Sequence, residues 1–313
     1  MIALRILKPG SQTTIQDAGR PGLRRYGIPS SGAMDQFACQ VANLLVGNAP
    51  GAAALESLLQ GLSLEVLVPT VIAVTGGDLG AELNECPLPL WTSLSLQPDD
   101  RLTFKRRAAG CRAYIAIRGG LAVPEFLGSK STFTKGGMGT PLQANDTLPI
   151  GDSTPPPQSF RRQLPAAMQR PLSSESIVRV ILGPQTDAFT VKGRETFLSS
   201  EYRISPKSDR QGFRTEGPAV ETVRGSDIIT DPTPLGAIQV PGDGQPIILL
   251  RDGQVTGGYA KIATVISADM DQFGQMSPGD KIRFQEVSRD EALLAASESR
   301  RLLSYLSVSL LGS

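Results

Sequence analysis

The stretch GAIQVPGDGQPIILLRDGQVTGGYAKIATVIS, residues 236–267, decides how the chain is read. Its apolar runs, Ile247 to Arg251 and Ile262 to Ser267, are short and set among Gly, Pro and Asp. That is the pattern of strands joined by tight turns. The alternation recurs at Ser63 to Val68, Val71 to Thr75, Ala113 to Arg118 and Ile177 to Leu182. Many short β-branched runs with frequent turn signals predict barrels or sandwiches rather than a Rossmann-type sheet.

Helices are few in this reading. Phe37, Val41, Leu44 and Leu45 recur at helical spacing and stop at Gly47-Asn48, which predicts a helix from Asp35 to Val46. Ser288 and Glu291 form a capping box ahead of Ala292, Leu293, Ala296, Leu303 and Leu306, predicting a C-terminal helix packed on the second domain. The run GDSTPPPQSFRRQLPAAMQRPLSS, with three consecutive prolines, lacks strand or helix periodicity and reads as a linker. The expected organisation is an N-terminal domain over 1–155, a Pro-rich linker over 156–174 and a C-terminal domain over 175–313. Arg5-Ile6-Leu7-Lys8-Pro9-Gly10 echoes Arg179-Val180-Ile181-Leu182-Gly183-Pro184, and Ile117-Arg118-Gly119-Gly120 echoes Leu250-Arg251-Asp252-Gly253. Such internal similarity favours two related β-barrels.

The 313 residues, 40% of them hydrophobic, are ample for two cores, and with 5% aromatics Leu, Val, Ile and Ala must fill them. No histidine occurs, so a mechanism that needs imidazole as base, triad member or metal ligand is excluded. Proton transfer falls to Asp, Glu, Lys, Tyr, Cys or water. The net charge is +1, and basic pairs such as Arg24-Arg25 lack interleaved aromatics and read as solvated faces. Nucleic acid is not an expected partner. Cys39, Cys86 and Cys111 match neither a disulfide framework nor a zinc site, and no metal site is expected. Neither a signal peptide nor a membrane span is apparent, so the expected location is the cytoplasm.

Two polar, glycine-rich segments have the composition of a site: Thr14 to Asp35 and Gly236 to Tyr259. In the first, Asp17 and Arg20 flank Gly19; Arg20 offers a planar donor fork to a carboxylate, carbamate or phosphate, and Asp17 can orient it or act as base. The plainer reading is a turn in which Asp17 caps local backbone and Arg20 pairs with it. The loop Gly27 to Asp35 leads into a helix whose N-terminal amides can receive an anion, or be capped by Ser31. In the second half, Asp209-Arg210 beside Gly212 repeats the theme. Gly257-Gly258 can aim main-chain N–H groups at a developing oxyanion, while Lys261 supplies charge or, desolvated, a base. Asp252-Gly253 alone is a hairpin-turn signal. Gly128-Ser129-Lys130-Ser131-Thr132 lacks the order of a phosphate-binding loop, and no lysine is flanked by methionines as at a biotin attachment site.

Together TIQDAGRPG, GIPSSGAMD, ANLLVGN, ALES, SKST, SDRQGFR, GAIQVP, GQPIILLRDGQVTGGYAKIATVISAD and PGDKIRF resemble the allophanate hydrolase subunit 2 family. This is the family of the 5-oxoprolinase C subunit, of the KipA proteins and of biotin-dependent carboxyltransferase-like proteins. The matches run in order from residue 13 to 284. The resemblance implies a mainly β protein of two tandem cyclophilin-like β-barrels with a few short helices. It implies the C subunit of a bacterial ATP-dependent 5-oxoprolinase, a hydrolase that opens 5-oxoproline to glutamate together with an A subunit and a KipI-like B subunit. Under it ATP is used by the complex, at a site not expected on this chain alone, and no cofactor is covalently bound. The alternatives are a biotin-dependent carboxyltransferase that takes a carboxyl group from carboxybiotin to urea or a similar amide, and a non-catalytic partner of a KipI-like protein. Carried over by motif, Asp17, Arg20, Lys261 and Asp252 are expected as catalytic and Asp209, Arg210, Gln239, Gly257, Gly258 and Tyr259 as substrate-binding. The family's GGYP is GGYA here, with Ala260 in place of a loop-stiffening proline.

Overall fold

The structure is a computed structural model that describes residues 1–151 and 160–311. The three consecutive prolines, Pro155 to Pro157, lie outside the described residues. The chain divides into two compact units: residues 1–20, 31–172 and 302–313 form the first, and residues 21–30 and 173–301 the second.

The first unit holds strands β1 (Ile2–Pro9), β2 (Gln12–Gln16), β3 (Ala54–Leu58), β4 (Leu62–Val66), β5 (Thr70–Asp78), β6 (Ala81–Leu83), β7 (Cys86–Pro87), β8 (Ser93–Leu96), β9 (Arg101–Phe104), β10 (Ala109–Ile117) and β11 (Thr147–Pro149), with helix α1 (Gln36–Val46). They form a six-stranded sheet, β11-β1-β4-β9-β6-β7, and a five-stranded sheet, β2-β3-β10-β5-β8. Leu4, Ile6, Leu64 and Phe104 of the first sheet share one core with Leu55, Ile72, Val74 and Ile115 of the second. The other face of the five-stranded sheet, with Val71, Ala73, Tyr114 and Ala116, packs against Phe37, Val41, Leu44 and Leu45 of α1. Hence β5 and β10 are buried on both faces and read as unbroken apolar runs instead of alternating ones. Asp35 caps α1 by accepting from Ala38 N at 2.9 Å, in the role assigned above to Ser31, and Gly47 ends the helix at φ +82°.

The second unit holds β12 (Glu175–Leu182), β13 (Glu201–Ile204), β14 (Gly212–Glu216), β15 (Asp227–Pro232), β16 (Ala237–Gln239), β17 (Ile247–Leu249), β18 (Thr256–Tyr259), β19 (Lys261–Val265) and β20 (Lys281–Glu286), with α2 (Val191–Ser199) and α3 (Arg289–Leu311). Seven strands close into a barrel in the order β12-β19-β16-β17-β14-β13-β20, and β15 pairs with β18 as a separate ribbon. Period-two burial turns Val178, Val180, Phe213, Ile282 and Phe284 inward, and the Phe197 and Phe284 rings stack 4.4 Å apart.

The expectation of a mainly β protein with two tandem barrels is therefore corrected. Among the described residues one barrel closes, and three α-helices, one of 23 residues, make the fold mixed α/β. The physical reason lies in α1: its apolar face occupies one side of the five-stranded sheet, so that sheet becomes the middle of three layers instead of curling onto itself. The C-terminal helix is also longer in reach than expected. Its capping box forms, with Glu291 N donating to Ser288 Oγ at 3.2 Å and Ser288 N to Glu291 Oε2 at 2.7 Å. Ala292 and Ala295 pack with Ile266 in the second unit, whereas Leu306 belongs to the α1 cluster of the first.

Candidate functional site

In the first unit, Asp17 follows β2 and its carboxylate is filled by the 129–131 turn. Oδ1 accepts from Gly19 N and Ser129 Oγ at 2.7 Å and from Ser131 Oγ, and Oδ2 accepts from Lys130 N at 2.7 Å. Its backbone carbonyl takes Ala33 N at 3.0 Å. Arg20 is 1% exposed and donates through Nη2 to Ser131 O at 2.6 Å and through Nε to Phe126 O at 3.4 Å. The two residues thus meet on the same turn, each bonding to it from its own side. A second network sits at the start of α1. Glu56 Oε2 accepts from Met34 N and Tyr114 Oη, Tyr114 Oη accepts from Asp35 N at 2.8 Å, and Arg112 Nε lies 3.4 Å from Glu56 Oε1. Burial pushes the Tyr114 phenol well above its usual range, so it stays a neutral donor to Glu56.

In the second unit, five of the expected residues gather where β16, β18 and β19 meet. The pairing of β16 with β19 shifts between Ile238 and Gln239, which sets Gln239 opposite Lys261. Such a bulge re-aims side chains at a strand end. Gln239, 2% exposed, donates through Nε2 to Tyr259 O at 3.3 Å and accepts through Oε1 from Gln254 Nε2 at 3.2 Å. Gly257 leaves the room for this amide: a Cβ there would come 2.4 Å from Gln239 Nε2 and 2.9 Å from Gln254 Nε2. Lys261, also 2% exposed, donates through Nζ to Asp231 Oδ2 at 2.7 Å, and Gln185 bonds both Asp231 and the Lys261 N–H. The Lys261 ammonium holds the Asp231 carboxyl below its ordinary range. Gly258 lies on β18, and Tyr259 beside it is exposed.

Asp252 and Arg210 form an ion pair, Arg210 Nε to Asp252 Oδ2 at 2.8 Å, reinforced by Asp252 N donating to Arg210 O at 3.0 Å. The other carboxylate oxygen, Oδ1, is buried and has no hydrogen-bond donor among the described residues. Asp209 accepts from the Gln211 and Gly212 amides at 2.8 and 3.3 Å. Sequence reasoning missed Asp231, Gln185, Gln254 and Arg24. The first three carry no motif by themselves and are recognisable through their pairing with Lys261 and Gln239. Arg24, read above as one of a solvated pair, belongs to the second unit and donates through Nη2 to Thr233 O at 2.5 Å and Gln254 O at 3.1 Å. Among the described residues no group of three His, Cys, Asp or Glu side chains is placed to hold a metal ion, and no helix is long and apolar enough to cross a membrane.

The second unit thus holds two polar clusters, the Arg210–Asp252 pair and the Gln239–Gln254–Lys261–Asp231 group. Residues 26–286 match the carboxyltransferase domain family, subdomain A and B, and the chain is a member of that family, the one its motifs resemble. It is 37% identical to the 5-oxoprolinase C subunit of Escherichia coli over 97% of both chains. The crystal structure of Kluyveromyces lactis urea carboxylase superposes with a TM-score of 0.91 at 34% identity, covering 97% of this chain and 29% of that one. TTHA0988 superposes with a TM-score of 0.84 at 35% identity over 91% of this chain, which spans about half (55%) of that protein.

Proposed function

We propose that the protein is a carboxyltransferase-family subunit that binds a small amide in the second unit and stabilises the charge that develops on it. The observation that carries this reading is Asp252 Oδ1, a buried carboxylate oxygen without a donor among the described residues, whose partner oxygen is tied to Arg210. An unpaired buried acceptor is costly, and an amide N–H is the donor that urea and a lactam share. In this proposal Arg210 orients Asp252, Asp252 holds the amide N–H, and Lys261, with Gln239 beside it, faces the developing oxyanion. Asp17 and Arg20 support the 129–131 turn.

Two finer readings divide the support. Carboxyl transfer to urea or a related amide is supported by the family itself and by the likeness to urea carboxylase. A carboxyl donor would come on a separate carrier, whose ureido N–H suits the same acceptor. ATP-dependent opening of 5-oxoproline, with partner subunits, is supported by the end-to-end match to the 5-oxoprolinase C subunit. The test combines the chain with candidate partner subunits. It measures glutamate release from 5-oxoproline and, in parallel, bicarbonate fixation into urea with a biotin carrier, each with this chain omitted as control. Activity in one assay, dependent on the chain and lost in Asp252→Asn, selects that reading; an undiminished Asp252→Asn rate refutes the role of Asp252.

A further inference from the structure

Arg24 stands apart from the other arginines discussed. Arg20 bonds the 129–131 turn, Arg210 is paired with Asp252, and neighbouring Arg25 is exposed over the Tyr26 ring. Arg24 is drawn into the second unit, where Nη2 is held by the Thr233 and Gln254 carbonyls. Its Nη1 is buried and has no hydrogen-bond partner, and no carboxylate pairs with it, among the described residues. Among the described residues, the guanidinium therefore carries its charge in a partly desolvated place compensated by two carbonyl dipoles. Burial lowers its pKa, though an arginine remains protonated.

The surroundings add a location. Gln254, whose carbonyl Arg24 holds, donates from its side chain to Gln239, and Gly257 borders the same amides. The charge sits against the loop that carries the proposed amide site. A planar fork with one nitrogen anchored and the other unpaired suits a carboxylate, which would supply both the missing acceptor and the missing counter-charge.

We propose that Arg24 recognises a carboxylate on the ligand, so that the site selects amides bearing an adjacent carboxylate over neutral ones. This rests on the small-amide reading above. The test is calorimetric titration of the full chain with 5-oxoproline and with 2-pyrrolidinone, the same lactam without its carboxylate. Wild type is expected to bind the acid at least about tenfold more tightly, and Arg24→Gln to lose that preference while binding 2-pyrrolidinone as wild type does. Equal wild-type affinity for both ligands, or a preference that survives Arg24→Gln, overturns the role of Arg24 and leaves the amide reading standing. Failure of wild type to bind either ligand overturns both. If Arg24→Gln loses both ligands, Arg24→Lys decides: a retained preference for the acid supports the proposal, and equal binding of the two overturns it.

Discussion

Replacing Asp17 with Asn tests whether its carboxylate is a scaffold or a reagent. Asn has one carbonyl oxygen to offer where the carboxylate has two. Facing Gly19 N, Ser129 Oγ and Ser131 Oγ, it keeps the three bonds now made by Oδ1 and presents its NH₂ group to the Lys130 N–H, donor against donor. The lost bond is to a charged acceptor and contributes roughly 1.5–3 kcal/mol, and the remaining three weaken as the charge disappears. The expected loss is about 3 kcal/mol, confined to the first unit. Trp91, the one tryptophan of the sequence, is buried beside Phe37 in that unit, so its fluorescence in a urea titration reads the transition directly. A Trp91 transition unmoved to within about 0.5 kcal/mol, the scatter of ordinary surface substitutions, would refute the scaffold argument. With lost turnover as well, it would make Asp17 a reacting group.

Three substitutions in the second unit have further expected outcomes. Gly257→Ala drives a methyl into the Gln239 amide, 2.4 Å away, and is expected to destabilise by about 1–3 kcal/mol and to weaken ligand binding; unchanged denaturation and affinity would show that the amides give way freely. Tyr202 carries a buried hydroxyl without a partner among the described residues, so Tyr202→Phe is expected to be neutral or to stabilise by about 1 kcal/mol, and a clear destabilisation would contradict the unpaired hydroxyl. Burial also raises the Tyr202 pKa to about 12, so its contribution is present below about pH 10, where an unfolded tyrosine titrates, and is lost as pH rises through 12; Tyr202→Phe should flatten that limb of a pH–stability curve. Asp231, depressed by Lys261, contributes above the unfolded carboxylate range near pH 4 and loses its contribution as pH falls through its lower folded value. Asp231→Asn should therefore be less stable than wild type at pH 7 and converge with it at acid pH, and a difference independent of pH would refute the pairing.

Local features were legible in the sequence wherever local forces decide them. The stop of α1 at Gly47 and the Ser288–Glu291 box follow from residues within one helical turn. Strand positions near 71–75 and 113–118 were recognisable, yet their sheet was not, because an apolar run buried on both faces looks alike in a barrel and in a layered sheet. Closure depends on what covers each face, and α1 covering the five-stranded sheet is a long-range fact. At the site the same division holds. Gln239 and Lys261 could be named, but their register opposite one another depends on a bulge. Arg210 and Asp252 are 42 residues apart, and their pairing has no sequence period to betray it. Arg24 was misread because a basic pair beside glycines looks identical on a solvated face and against buried carbonyls.

Residues 21–30 are made with the first half of the chain and fold with the second. On a ribosome this becomes a matter of timing. The carbonyls that hold Arg24 lie 209 and 230 residues later, so at about 5–20 residues per second the arginine emerges roughly ten to forty seconds before its partners exist. Those partners thus arrive after every strand of the first unit has been made and before β19 and β20, which close the barrel. A ribosome-bound fragment ending before Thr233 would carry Arg24 exposed to solvent and to proteases that full-length protein resists.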